Sequence, residues 1–589
     1  MSRIKGTISK RSKNRIKSIF LICILLYSFL IYRLADIKIF KYDEYSKRVE
    51  NQSTDKISLN SSRGIIYDRN NIPLTDTVKK QVLLVPQKVL SGNYENINLI
   101  KKATNITDED IFKAVQDQLL SNIVEIEVEN VNESMKKQLE EKEIIIREKT
   151  LRYSENNLLT HTIGYLKKSD ASPQSGIEKD MDDILKDSNE EYVSVFKAAD
   201  SGKSQGLDIL NGSIETVTSS DDDKHLRLTI DSKIQKIVED TVNNESNPTA
   251  VVVSDIESGE ILSISSRPNY DQNDIAKYIN SNNRELENRA ISVTYPPGSV
   301  FKIVVLYAAL ANNVIDENYT YNCTGETKVG NTDEVLHCHK LDGHGMETLK
   351  DVFANSCNPA FLDIATKVGE EKILEAIKTL HLDESVGIGL DEEVSSNIPS
   401  EIAIRNLAIG QGSLEFTPIQ INQLTQIIAN NGTYKPLYIY DSIINNDKNI
   451  IKAFKNSKDE EIISPYIITK IKEIMKSVSE EGTAKDLSDL EGGCGVKTGT
   501  AQSSLNKVSI NHGWITGFYP SENAKYVITV LVEGTETETP TTDNNATQTG
   551  QESTTTKANA AKTGDNAPIV GMAVLAVAGA AILITRKKK

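Results

Sequence analysis

The chain has 589 residues, enough for two or three domains with sizeable cores. Its 83 acids outnumber 67 Lys and Arg, giving a net charge of −16. Nucleic acid is thereby excluded as a partner, because phosphate binding needs clustered positive charge.

What positive charge stands clear of acids lies at the two ends. Residues 1–17 hold seven Lys or Arg and no acid, and Ser18 to Tyr32 then runs without a charge. Lys17 and Arg33 extend this stretch by snorkelling, so residues 18–34 are expected to be a transmembrane anchor with its basic flank inside the cell. No small-x-small cleavage pattern follows, which argues for an uncleaved anchor rather than a signal peptide.

From about 85 to 225 the chain is polar and charge-rich, with amphipathic stretches such as DEDIFKAVQDQLL, and the texture changes at about 226. There TAVVVSDIESGEILSISSRP reads as a hairpin turning at Glu257 to Glu260, and NHGWITGFYPSENAKYVITVLVEG reads as a second one far downstream. The expectation for 226–533 is an α+β domain, its sheet built from both ends of the segment with helices inserted between. Residues 534–566 form a Thr-rich spacer that cannot bury enough apolar surface to fold. Residues 567–585 are apolar again and 586–589 are Arg-Lys-Lys-Lys, which predicts a second span with a cytoplasmic tail.

The chemistry concentrates in YPPGSVFKIVVLYAALA, residues 295–311, a Pro-Pro-Gly turn followed by a helix that is apolar on every side except at Lys302. Ser299 sits at the expected first turn, where free backbone N–H groups and the helix dipole favour developing negative charge. Lys302, three residues on, shares its face. Burial disfavours an ammonium, so a lysine in this setting is suited to take a serine's proton. The spacing alone is weak: Ser53 with Lys56, Ser134 with Lys137 and Ser194 with Lys197 repeat it, none of them opening an apolar helix.

Two further elements follow in order. Ser356-Cys357-Asn358 lies 57 residues beyond Ser299, and Lys497-Thr498-Gly499-Thr500 lies 198 beyond it. Ser-x-x-Lys, Ser-x-Asn and Lys-Thr-Gly in this order resemble the active-site set of penicillin-binding proteins and serine β-lactamases. RGIIYDRN at 63–70, HTIGYL at 161–166, SGIEK at 175–179, LRLTIDSKIQ at 226–235, GHG at 343–345 and AIGQGSLEFTPIQ at 408–420 are similar to blocks of the class B, monofunctional penicillin-binding proteins.

The resemblance implies a penicillin-binding-protein transpeptidase fold behind an elongated pedestal, or dimerisation, domain at 45–225. It implies Ser299 as nucleophile, Lys302 as base, Ser356 and Lys497 as the proton relay, and Asn358 as a holder of substrate backbone. Thr498, Gly499 and Thr500 would line the carboxylate and oxyanion sites, with no cofactor. The expected reaction is peptidoglycan D,D-transpeptidation of stem peptides, with acylation by β-lactams and a membrane glycosyltransferase as partner. A D,D-carboxypeptidase or β-lactamase shares the motifs, and a β-lactam sensor or wall-bound scaffold shares the fold. The pedestal opposes the first pair, and the intact motifs oppose the second.

Cys323 and Cys338 are a possible disulfide outside the membrane. His337, Cys338, His339 and His344 invite a zinc reading, but adjacent histidines point apart and no ligand spacing recurs, so no metal is expected. AAKTGD ahead of the last apolar segment resembles a cell-wall sorting signal cut between Thr563 and Gly564, though Ala560-Ala561 stands where Leu-Pro is usual. Such a tail suits a Gram-positive cell and leaves the catalytic domain extracellular. Family members usually continue past the last strand into a terminal helix; this chain enters the spacer instead, which would leave an apolar sheet face open.

Overall fold

The computed structural model describes residues 10–536 apart from 42–53, 92–93, 119–122, 155–157, 187–190, 199–207, 219–222, 455–458 and 506–507. The expected spacer beyond Glu536, the second apolar segment and the sorting-like Thr563-Gly564 lie outside the described residues. At the other end a helix covers Lys10–Ala35 and passes into a π turn at Asp36–Phe40. Its apolar part, Lys17–Phe40, is 24 residues, long and apolar enough to cross a membrane.

Two compact units interleave along the chain, one from residues 1–62, 79–150 and 189–220 and the other from 63–78, 151–188 and 221–589. The composition shift, by contrast, marks contiguous blocks. In the first unit Val78–Pro86 is the central strand between Ile123–Val128 and Ile145–Leu151. Its side chains alternate between two cores, Leu83 and Val85 in one and Val82 and Leu84 in the other. A second sheet orders Thr54–Ser58, Glu191–Ala198 and Asp208–Thr218.

The second unit is built on a five-stranded antiparallel sheet: β1 Thr249–Asp255, β2 Ile261–Arg267, β3 Gly495–Leu505, β4 Val508–Tyr519 and β5 Tyr526–Glu536, ordered β2-β1-β5-β4-β3. Both predicted hairpins form, and β5 pairs with β1 to close the two ends of the domain together. Edge strand β3 carries Lys497 to Thr500. Helix α1, Ser232–Val242, is N-capped by Asp231 and packs on β2. The other helices that matter here are α2 Lys302–Ala311, α3 Asn358–Val368, α4 Ile404–Ile409, α5 Pro418–Ala429 and α6 Pro465–Glu480.

Helix α5 is buried along its whole length and still carries Gln420, Asn422, Gln423 and Gln426. Their amides are satisfied internally; Asn422 donates to the Val252 carbonyl at 3.1 Å and accepts from Ser254 Oγ at 2.6 Å. The sheet face expected to lie open is covered: Val527 to Val532 of β5 are all buried, although side chains point to both faces. The segments 63–70 and 175–179 meet, as Arg63 Nε and Arg152 Nε reach opposite oxygens of Glu178 at 2.8 and 2.7 Å.

Candidate active site

The turn that carries Ser299 is tighter than a simple helix start. Gly298–Phe301 forms a 3-10 turn and the α-helix begins at Lys302, with every residue from Gly298 to Leu310 buried. Gly298 takes φ +54°, and a Cβ there would lie 2.6 Å from the Thr500 carbonyl oxygen, so glycine is required by conformation and by space. The indole of Trp514 on β4 donates to the Pro296 carbonyl at 2.9 Å and ties this turn to the sheet. Trp514, the chain's one tryptophan, is fully buried in the core.

Lys302 is fully buried, and its ammonium position is fixed from the other motif. Nζ donates to the Ser356 carbonyl at 2.7 Å, to Ser356 Oγ at 3.0 Å and to Asn358 Oδ1 at 2.8 Å. Lys497, equally buried, donates to the same Ser356 Oγ at 3.0 Å and to the Thr498 carbonyl at 2.8 Å. The Ser356 hydroxyl thus bridges two lysines from motifs 195 residues apart in sequence. Ser356 itself sits at φ +54°, a left-handed conformation that a non-glycine residue holds only when its surroundings fix it. Asn358 Nδ2 also donates to the His337 carbonyl at 3.3 Å.

The far side of the cleft is strand β3. Gly499 faces the Ser299 turn, where a Cβ would meet the Val300 nitrogen at 3.0 Å and the Pro297 oxygen at 3.1 Å. Thr500 Oγ1 has no hydrogen-bond partner among the described residues, which leaves a hydroxyl available to a ligand. Thr498 Oγ1 is engaged, 2.6 Å from Thr483 Oγ1. Thr483 is a site residue that sequence reading missed. It lies in the loop after α6, its N–H donating to the Ala354 carbonyl at 3.1 Å, and no spacing signal connects it to Thr498.

The cysteines bear on two expectations. All five are free, so Cys323 and Cys338 form no disulfide. Instead Cys323, Cys338, His344 and Cys357 converge, with ligand atoms all within 4.8 Å of one another. The adjacent histidines do diverge, since His337 Nδ1 faces Glu326 at 3.3 Å, but the fold recruits His344 and supplies Cys357 from the Ser-x-Asn motif. Three thiols and one imidazole form a soft donor set of the kind that closes tetrahedrally around zinc. Cys338 is held well below the usual thiol range, first by the Cys357 S–H hydrogen bond and then by His339 and His344. An ion there would tether the 323–344 segment to the residue between Ser356 and Asn358.

Comparison with known proteins agrees with this geometry. The penicillin binding protein transpeptidase domain family matches residues 249–556, and the penicillin-binding protein dimerisation domain matches 58–215. Stage V sporulation protein D of Bacillus subtilis is 28% identical, over 88% of this chain and 82% of its own length. Peptidoglycan D,D-transpeptidase MrdA of Escherichia coli is 26% identical, over 73% of this chain and 74% of its own. Among solved structures, the complex of penicillin-binding protein PBP2 with MreC from Helicobacter pylori aligns with a TM-score of 0.57 at 26% identity, covering 82% of this chain and 95% of that one. With both domains matched in order and all three motifs meeting in one cleft, the chain belongs to the class B penicillin-binding proteins.

Proposed function

We propose that the protein is a peptidoglycan D,D-transpeptidase working through a serine acyl-enzyme. The observation that carries this reading is the Ser356 hydroxyl held 3.0 Å from both Lys302 Nζ and Lys497 Nζ, with Lys302 on the buried turn-helix segment that carries Ser299. Unprotonated Lys302 takes the Ser299 proton as Oγ attacks the carbonyl between the two terminal D-alanines of a stem peptide. The backbone N–H groups of Ser299 and Thr500 receive the oxyanion. On collapse the C–N bond breaks and the amine of the departing D-alanine takes a proton through Ser356, which Lys302 and Lys497 flank. An amine from a neighbouring stem peptide then attacks the ester, passes its proton back along the same chain and releases Ser299 with a new cross-link.

Lys497 and the Thr500 hydroxyl suit the terminal carboxylate, a cation and a donor at one edge. Asn358, fixed by Lys302, is suited to hold the substrate backbone. A β-lactam acylates Ser299 by the same attack. Hydrolytic use of the site, as in a carboxypeptidase or lactamase, is disfavoured by the dimerisation domain ahead of the catalytic one. The catalytic domain acts outside the cell, on glycan strands supplied by a membrane glycosyltransferase, and the tail at Thr563-Gly564 is a second attachment, as a span or after sortase transfer.

The test is labelling of the detergent-solubilised full chain with a fluorescent penicillin. Stable labelling on the Ser299 peptide, absent from Ser299→Ala, is expected. A folded wild-type chain that takes no label would overturn the assignment.

A further inference from the structure

A third segment, outside the three motifs, touches both walls of the cleft. Helix α4 ends at Gly410, φ +64°, whose carbonyl accepts the Gly298 N–H at 2.8 Å. A Cβ on Gly410 would lie 2.2 Å from the Gly298 oxygen, so this segment, the Ser299 turn and Thr500 of β3 are in backbone contact with no room for side chains between them.

Gln411 then projects its amide onto β3. Nε2 donates to the Thr500 carbonyl at 3.3 Å, and Oε1 accepts the Gln502 N–H at 3.2 Å. Strand β3 pairs with β4 along one edge only. One side chain therefore fills, on the free edge, the donor and acceptor places that a neighbouring strand would fill. In a strand the N–H and C=O of one residue point the same way, so a group that fixes the Thr500 carbonyl also aims the Thr500 N–H.

We propose that Gln411 is a positioning residue for acyl transfer, a bidentate clamp that holds the Thr500 N–H at its working distance from the Ser299 turn. The inference rests on the reading of Ser299 as nucleophile and of Thr500 N–H as an oxyanion donor. Loss of an oxyanion donor costs roughly 100- to 1000-fold in rate; a donor left in place but unclamped loses less. The clamp acts on the acylation step and leaves the affinity of the first complex alone.

The experiment is stopped-flow acylation of the full chain by a fluorescent penicillin, separating binding from acylation, for wild type, Gln411→Ala and Gln411→Glu. Gln411→Ala is expected to acylate about tenfold more slowly, with initial affinity within about twofold and Tm within a few degrees of wild type. Gln411→Glu separates clamping from packing. Its carboxylate can accept from Gln502 but repels the Thr500 carbonyl, whereas its protonated form can donate. Its rate relative to wild type is therefore expected to rise as pH falls from about 7 toward about 5, while that of Gln411→Ala stays flat. Wild-type rates in Gln411→Ala, or equal losses in both variants at every pH, would overturn the clamp alone. Absence of label on wild type would overturn the transpeptidase reading and the clamp together.

Discussion

Two of the places where the catalytic unit buries cations differ in the partners they supply. Between residues 63 and 182, Arg63 and Arg152 share Glu178, with Asp182 on Arg63 and Asp76 on Arg152. In the cleft, Lys302 and Lys497 meet neutral oxygens of Ser356, Asn358 and Thr498. Burial works against the charge on Arg152, yet Glu178 and Asp76 outweigh it and hold the guanidinium more firmly protonated than in water. The first cluster is an ion-paired joint; the second holds the two lysines that the proposed mechanism uses to move a proton.

The contrast can be broken from either side. Lys302→Met is expected to lower penicillin acylation at least about 10³-fold, by loss of the base, while Tm changes by only a few degrees. Stopped-flow acylation beside thermal melting checks it, and acylation within tenfold of wild type would remove Lys302 from the chemistry. Arg152→Met should do the reverse. It removes the guanidinium that lies between Asp76 and Glu178, leaving Arg63 on Glu178, and costs about 3–5 kcal/mol of stability, with near-normal acylation per folded molecule. Denaturant unfolding measures the loss, and a change below about 1 kcal/mol would contradict a fixed joint.

A half-buried carboxyl adds a test by pH. Burial, with Asp180 adding to it, pushes the Glu392 carboxyl up to about 7 from 4.5, although Asn288 donates to it at 3.2 Å. The folded state then holds a proton that the unfolded chain has released, so stability falls as pH rises from about 4.5 to about 7 and levels off above. Over that window the loss is about 3 kcal/mol at most. Glu392→Gln should flatten the fall in Tm, and an unchanged slope would assign the pH dependence elsewhere. Chelator treatment tests the cysteine cluster: removal of a bound ion is expected to lower Tm by several degrees and to slow acylation through the Ser356 turn. Smallest of all, Thr483→Val should weaken penicillin binding by a few-fold, seen as a higher Kd with little change in acylation rate, because only the orientation of the Thr498 hydroxyl is lost.

Ser299, Lys302, Ser356, Asn358 and Lys497 were legible in the sequence because each stands in a short motif whose context is local: a Pro-Pro-Gly turn, an apolar helix, a β-branched strand. The two hairpins were legible for the same reason, as period-2 runs bounded by turn residues. Those features belong to neighbouring residues, so the sequence by itself determined them. Thr483, Gln411 and the four metal-capable ligands were decided only by the tertiary structure. Cys357 stands 13 residues from His344 and 34 from Cys323, and Gln411 lies 89 residues from the carbonyl it holds. Such partners meet because the sheet closes β5 onto β1 and brings β3 against the Ser299 turn, a geometry no local pattern encodes. The covered face of β5 belongs with them, since burial is a property of what packs nearby, not of the strand.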